Sequence, residues 1–259
     1  MLGSFVVALS YLICKACDLT ADLEHLGRQG RLQAVAGPIQ DDEALLLFAT
    51  IRVTGVRRVL EVGADKGDSA FNFLAALRCA TAARLYSVDT KPVKAMGPRH
   101  TTISKDAANL TWSDIDYNPV DLLFLDCHHY GSTKRLVQRV LSQKMLRSDG
   151  MVALHDTGLH SWQRHPSPKG EKPVTIGNKT LYVHQPTERI IAQWLPRYDP
   201  EATWQRISFH HDRRRPYRHG LTLMQRRVNL RVENCDDWSP SFGLSQRDCA
   251  DQGHGNPLQ

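Results

Sequence analysis

Cysteine is sparse in this chain, with six residues in 259, at positions 14, 17, 79, 127, 235 and 249. So thinly scattered, they do not make the dense framework that holds small secreted domains together. Cys14 and Cys17 form one CxxC. Without a second pair it is read as two helix residues rather than as a zinc or redox site. Long apolar runs are lacking too. Phe5 to Cys14 is apolar but too short to cross a bilayer, and no Lys or Arg precedes it as a secretory leader requires. It is expected to open an N-terminal helix, continued by Leu12, Leu19, Leu23 and Leu26, that packs on the domain or on a second copy in a homo-oligomer. With neither span nor disulfide framework, a cytoplasmic location is expected. Aromatic residues are few and do not interleave with the basic ones. Lys and Arg number 33 against 27 acids, and Arg213, Arg214, Arg215, Arg218, Arg226, Arg227 and Arg231 crowd together. Without a reading motif this cluster is a solvated basic face, and nucleic acid is not the expected partner. No internal repeat is present.

What the chain does have is 41% hydrophobic content, enough for one large core. The first forty residues read as a helical extension closed by Gly37-Pro38. A helix follows over Glu43 to Val53, with Asp41 or Asp42 as cap. Strands and helices then alternate: strand 58–62, helix 69–80, strand 84–88, strand 101–103, strand 122–125, helix 132–145, strand 151–154. Such alternation predicts an α/β fold with a doubly wound, mostly parallel sheet. Residues 157–186 break the pattern with Pro, Gly, Lys and His and carry a small hairpin around Gly177-Asn178. An insertion of this length suits a cover over an acceptor site. A helix over 187–195 and strands 203–209 and 221–225 close a domain spanning 41–232, the late strands forming an antiparallel edge. Residues 233–259 read as a polar, poorly ordered tail.

The stretch RRVLEVGADKGDS, residues 57–69, carries the most information. Val59, Leu60 and Val62 make a buried strand. Gly63 and Gly67 let the backbone turn sharply and a ligand approach it. Asp68 or Ser69 is expected to cap the next helix, whose amides suit a ligand with a ribose and a charged tail. Three acids fall directly after strands, Asp89, Asp126 and Asp156, at the end of the sheet where open α/β folds bind ligands. Asp89 can accept hydrogen bonds from both ribose hydroxyls; it can equally be a turn residue. Asp126 and Asp156 converge if their strands are neighbours. Two carboxylates so close repel unless a cation lies between them, and oxygen donors suit Mg²⁺, Mn²⁺ or Ca²⁺. His128, His129 or His155 as a further ligand tilts the choice to a transition metal.

In this order the motifs resemble the class I S-adenosylmethionine-dependent methyltransferases, with a Rossmann-like seven-stranded sheet. VLEVGADKGDS is similar to that family's glycine motif, and SVD, ending at Asp89, to its ribose-binding acid. DLLFLDCHHY followed by LRSDGMVALHDT resembles the metal-assisted small-molecule O-methyltransferases, of the catechol type and the macrocin and mycinamicin sugar type. The resemblance covers residues 40 to 226. It implies S-adenosyl-L-methionine as cofactor, with Glu61, Gly63, Gly67 and Ser69 at its methionine end, Asp89 at the ribose, and Asp106 and Ala107 beside the adenine. It implies Asp126 and Asp156 as ligands of a divalent cation such as Mg²⁺, with His155 standing where the sugar type has Glu and Thr157 where the catechol type has Asn. It makes His129 the general base beside Asp126. The expected reaction is metal-assisted O-methylation of a small molecule, a sugar or phenol. Two other readings stay open: a methyltransferase-like binding subunit without catalysis, and a nucleic-acid methyltransferase. The latter lacks its Asp/Asn-Pro-Pro-aromatic loop, since Asp126-Cys127-His128-His129 stands there. A nicotinamide enzyme is disfavoured because Asp65 interrupts G-x-G-x-x-G.

Overall fold

Val59, Leu60 and Val62 are buried on both faces of their strand, as the centre of a parallel sheet demands. The computed structural model describes residues 39, 41–158, 163–165, 172–184, 186–200, 202–209 and 220–228. The N-terminal extension, the 233–259 tail and Arg213 to Arg218 lie outside these residues. The strands of the main sheet are β1 (Arg58–Val62), β2 (Arg84–Asp89), β3 (His100–Ser104), β4 (Val120–Leu125), β5 (Leu146–Leu154), β9 (Ala202–Phe209) and β10 (Leu221–Val228). They lie in the order β3-β2-β1-β4-β5-β10-β9. β1 to β5 are parallel, while β10 runs antiparallel to both β5 and β9. The strand order reverses between β1 and β4, and in open α/β sheets that switch point is where a ligand crevice opens.

The pleat divides the core. Val59, Leu85, Phe124 and Ala153 point to one face, under α1 (Asp41–Thr54) and α2 (Asp68–Leu77). Leu60, Val62, Leu123, Leu125 and Leu154 point to the other, under α3 (Tyr130–Ser142) and α4 (Thr187–Tyr198). Phe73 of α2 meets Phe124 of β4 edge-on with centroids 5.0 Å apart, and burying each ring contributes roughly 2–3 kcal/mol. The inserted stretch contributes β6 (Gln163–His165), β7 (Lys172–Ile176) and β8 (Lys179–His184), a separate sheet in the order β6-β8-β7. The hairpin at Gly177-Asn178 is the β7–β8 turn, with Ile176 paired to Lys179.

One local expectation fails. Neither Asp68 nor Ser69 caps α2; the N-cap is Gly67, at φ 90, with no side-chain cap. A left-handed glycine turns the chain into the helix by itself, which releases Ser69 for another partner. Arg226, expected on a solvated face, forms a two-pronged pair with Asp199, Nε to Oδ2 at 2.8 Å and Nη2 to Oδ1 at 3.3 Å. Cys79, just beyond α2, is disulfide-bonded.

Candidate functional site

The glycine loop between β1 and α2 is pinned from three sides. Gly63, at φ 91, donates its amide to Val88 O at 2.9 Å. A Cβ on Gly63 would lie 2.2 Å from the backbone oxygen of Asp126, so no other residue fits against β4. Asp89, at the tip of β2, accepts from the amides of Asp65 and Lys91, each at 2.9 Å. Its carboxylate thus faces the loop. Glu61 is fully buried beneath it and accepts hydrogen bonds from the hydroxyls of Ser69 and Ser87. Burial pushes its carboxyl up to about 7, against the two serine donors that lower it. The chain continues inward. Met96 N donates to His100 Nδ1 at 3.2 Å, which leaves Nε2–H to donate to Ser87 Oγ at 2.9 Å. Burial accordingly lowers the pKa of His100. Asp106 caps the short turn Ala107–Asn109 through Ala108 N and also accepts from Ser132 Oγ of α3 at 3.1 Å.

Because β4 and β5 are neighbours in register, Asp126 and Asp156 emerge together, and His155 comes with them. Donor atoms of Asp126, His155 and Asp156 all lie within 4.8 Å of one another. His155 is enclosed, with Nε2 3.0 Å from Glu43 Oε2 of α1 and Nδ1 3.1 Å from Asp126 Oδ1. The second approach lacks hydrogen-bond alignment. Glu43 itself is fixed by Gly220 N at 2.7 Å. His128, at φ 55, turns its ring inward. Its Nε2 stands 3.2 Å from Asp126 Oδ1 and 3.4 Å from Asp156 Oδ2, and its Nδ1 3.3 Å from Glu188 Oε2. Glu188 Oε1 accepts from His128 N at 2.9 Å, and Thr187 Oγ1 donates to His128 O at 3.0 Å. Burial alone would lower the pKa of His128, but Glu188, Asp126 and Asp156 raise it to about 9. His155 is likewise lowered by burial yet raised well above its ordinary value by Asp126, Asp156 and Glu43.

Four acids therefore surround two histidines. Such a surplus of negative charge suits a cation. The donor set also fits one: a histidine held from behind by a carboxylate, as His155 is by Glu43, is the usual arrangement of a metal-ligating imidazole. Asp126, His155 and Asp156 are thus compatible with a divalent ion. Thr157 does not join them. Its hydroxyl accepts from Thr222 Oγ1 at 2.9 Å, toward β10. His129 points elsewhere as well: it is the N-cap of α3, its Nδ1 accepting from Ser132 N at 3.2 Å. A neutral His129 bonded in this way carries its proton on Nε2, so serving as a base requires release of the cap. Glu43, Glu188, Ser87 and His100 escape the sequence reading, because each is tied to the site through partners distant in the chain.

A family described as a methyltransferase domain matches residues 60–157, the stretch from β1 to Thr157 that carries the glycine loop and both acid clusters. This stretch of 98 residues is similar to a methyltransferase domain, and the sheet around it is doubly wound, with its strand-order switch beside the glycine loop. No curated protein matches the sequence. Among solved structures, a caffeoyl-CoA O-methyltransferase candidate from Staphylococcus aureus is similar at 15% identity and TM-score 0.49, over 85% of this chain and 99% of that one. The S-adenosylhomocysteine-bound methyltransferase of Podospora anserina is similar at 17% identity and TM-score 0.46, over 80% and 86%. An O-methyltransferase from Bacillus cereus, also with S-adenosylhomocysteine, is similar at 13% and 0.47, over 81% and 91%.

Proposed function

We propose that the protein transfers the methyl group of S-adenosylmethionine to a hydroxyl of a small molecule, a sugar or phenol, beside a divalent cation held by Asp126, His155 and Asp156. The observation that carries this reading is the contact between Gly63 and the backbone of Asp126. It sets the glycine loop and the carboxylate cluster side by side at one end of the sheet. The sulfonium methyl is already activated, so the protein's task is to aim an oxygen at it. Positioning of this kind is worth up to ~7–11 kcal/mol in favourable cases. The glycine loop receives the methionine end, braced from within by Glu61 and Ser69, which act by holding the loop. Asp89 receives the ribose, and Asp106 with Ala107 flanks the adenine. A bound cation at Asp126, His155 and Asp156 would lower the pKa of an acceptor hydroxyl. Of the two neighbouring imidazoles, His129 takes the proton on this reading only once its cap on α3 is released.

Among the described residues no helix is long and apolar enough to cross a membrane. The acceptor is accordingly sought among small molecules in solution, and the cytoplasm is the setting proposed. Calorimetric titration with S-adenosylhomocysteine tests the donor site. The wild-type protein is expected to bind, and Asp89→Ala to bind about 10–100-fold more weakly, the loss of one or two hydrogen bonds to a charged group. Transfer of labelled methyl to a panel of catechols and sugar diols with Mn²⁺ or Mg²⁺ tests the acceptor class. Absence of any S-adenosylhomocysteine binding overturns the reading.

A further inference from the structure

The place between Asp126 and Asp156 already holds a side chain. Nε2 of His128 lies 3.2 Å from one carboxylate and 3.4 Å from the other, so it stands between the two acids that a shared ion would bridge. The ring is held there deliberately. Glu188, 1% exposed, grips it twice, through Nδ1 and through the backbone amide, and Thr187 binds the carbonyl of the same residue. The backbone of His128 is left-handed, at φ 55, which turns the ring away from the course that His129 takes. His155 Nδ1, almost wholly buried, is directed at the same space without an aligned hydrogen bond.

We propose that His128 is a built-in occupant of the cation position, so that its imidazole and a divalent ion exclude one another between Asp126 and Asp156, and the Glu188 contact sets how readily the ring gives way. This rests on the reading of Asp126, His155 and Asp156 as a cation site. It goes beyond that reading by making ion affinity a property of α4, which carries Glu188, as well as of the three donors. His128 is then a residue that decides whether the centre works with a metal or with its own side chain.

The test is Mn²⁺ binding, followed by calorimetry and by the Mn²⁺ electron paramagnetic resonance signal, on the full chain. His128→Gly removes the ring and suits the left-handed backbone; His128→Asn, tolerated in the same conformation, is the second variant should the first fold poorly. The expected result is that either variant binds one Mn²⁺ at least about tenfold more tightly than wild type, and that adding Asp126→Asn abolishes the gain. Equal affinity in wild type and variants overturns the exclusion while leaving the cation site standing. Weaker binding in the variants also overturns it, since His128 is then itself a ligand. No Mn²⁺ binding to any of the proteins overturns the cation site and the exclusion together. S-adenosylhomocysteine titration of the same samples keeps the donor site separate: binding retained in a variant shows that its fold and donor site stand, whatever its Mn²⁺ affinity.

Discussion

Gly63→Ala places a methyl group 2.2 Å from the Asp126 backbone oxygen at a residue with φ 91. Strain and overpacking together are expected to cost at least about 2 kcal/mol, seen as a lower denaturation midpoint together with loss of S-adenosylhomocysteine binding. Glu61 supplies a pH signature. Its carboxyl titrates ordinarily near 4.5 and in the folded protein at about 7. Between these values the folded state holds a proton that the unfolded chain has released. The contribution to stability is therefore full below 4.5 and lost as pH rises to about 7, by up to ~3 kcal/mol. Denaturation of wild type and Glu61→Gln across that window checks it: the difference between the two should change with pH, and parallel curves would show that Glu61 does not titrate there. At this scale the sequence discloses a residue when its partner is near. The DCHHY and HDT clusters stand out because each packs acids and histidines within a few positions. Glu43 and Glu188 do not, because their partners His155 and His128 lie 112 and 60 residues away. The choice between His128 and His129 is equally invisible, since it turns on one left-handed residue.

Asp199 ends α4 and gathers two later strands. Its carboxylate accepts from Trp204 Nε1 of β9 at 3.2 Å and pairs with Arg226 of β10. Asp199→Ala leaves a partly buried guanidinium uncompensated and is expected to cost about 3 kcal/mol, measured by chemical denaturation, with Arg226→Met restoring part of the loss. The elements themselves were largely readable. β1, β2 and β4 announce themselves as apolar runs ending in Gly or Asp, because both faces of a central strand are buried. β5 begins earlier than its apolar run, at Leu146 rather than Met151, because Arg147, Ser148 and Asp149 are exposed on a stretch that pairs only with the start of β4. The cap of α2 departs from the expected one because a serine near a helix start signals capping in general, whereas here Glu61 claims Ser69.

For the molecule as a whole, S-adenosylhomocysteine at a hundred times its Kd should stabilise the fold by about 2.7 kcal/mol. That raises the melting temperature by roughly 5–10 °C; a scan with and without ligand checks it, and Asp89→Ala should show a smaller rise. Cys79 is disulfide-bonded, and a cross-link of this kind constrains the unfolded chain. Melting with and without reductant reads how much of the stability depends on it. Gly63 has one more implication. Its backbone touches that of Asp126, so occupancy on either side of this seam shifts the same pair of peptide units. If nucleoside and ion each favour one setting of the seam, thermodynamic reciprocity obliges them to alter one another's affinity by a common factor. Titrating Mn²⁺ with and without S-adenosylhomocysteine, and the reverse, would yield that factor twice.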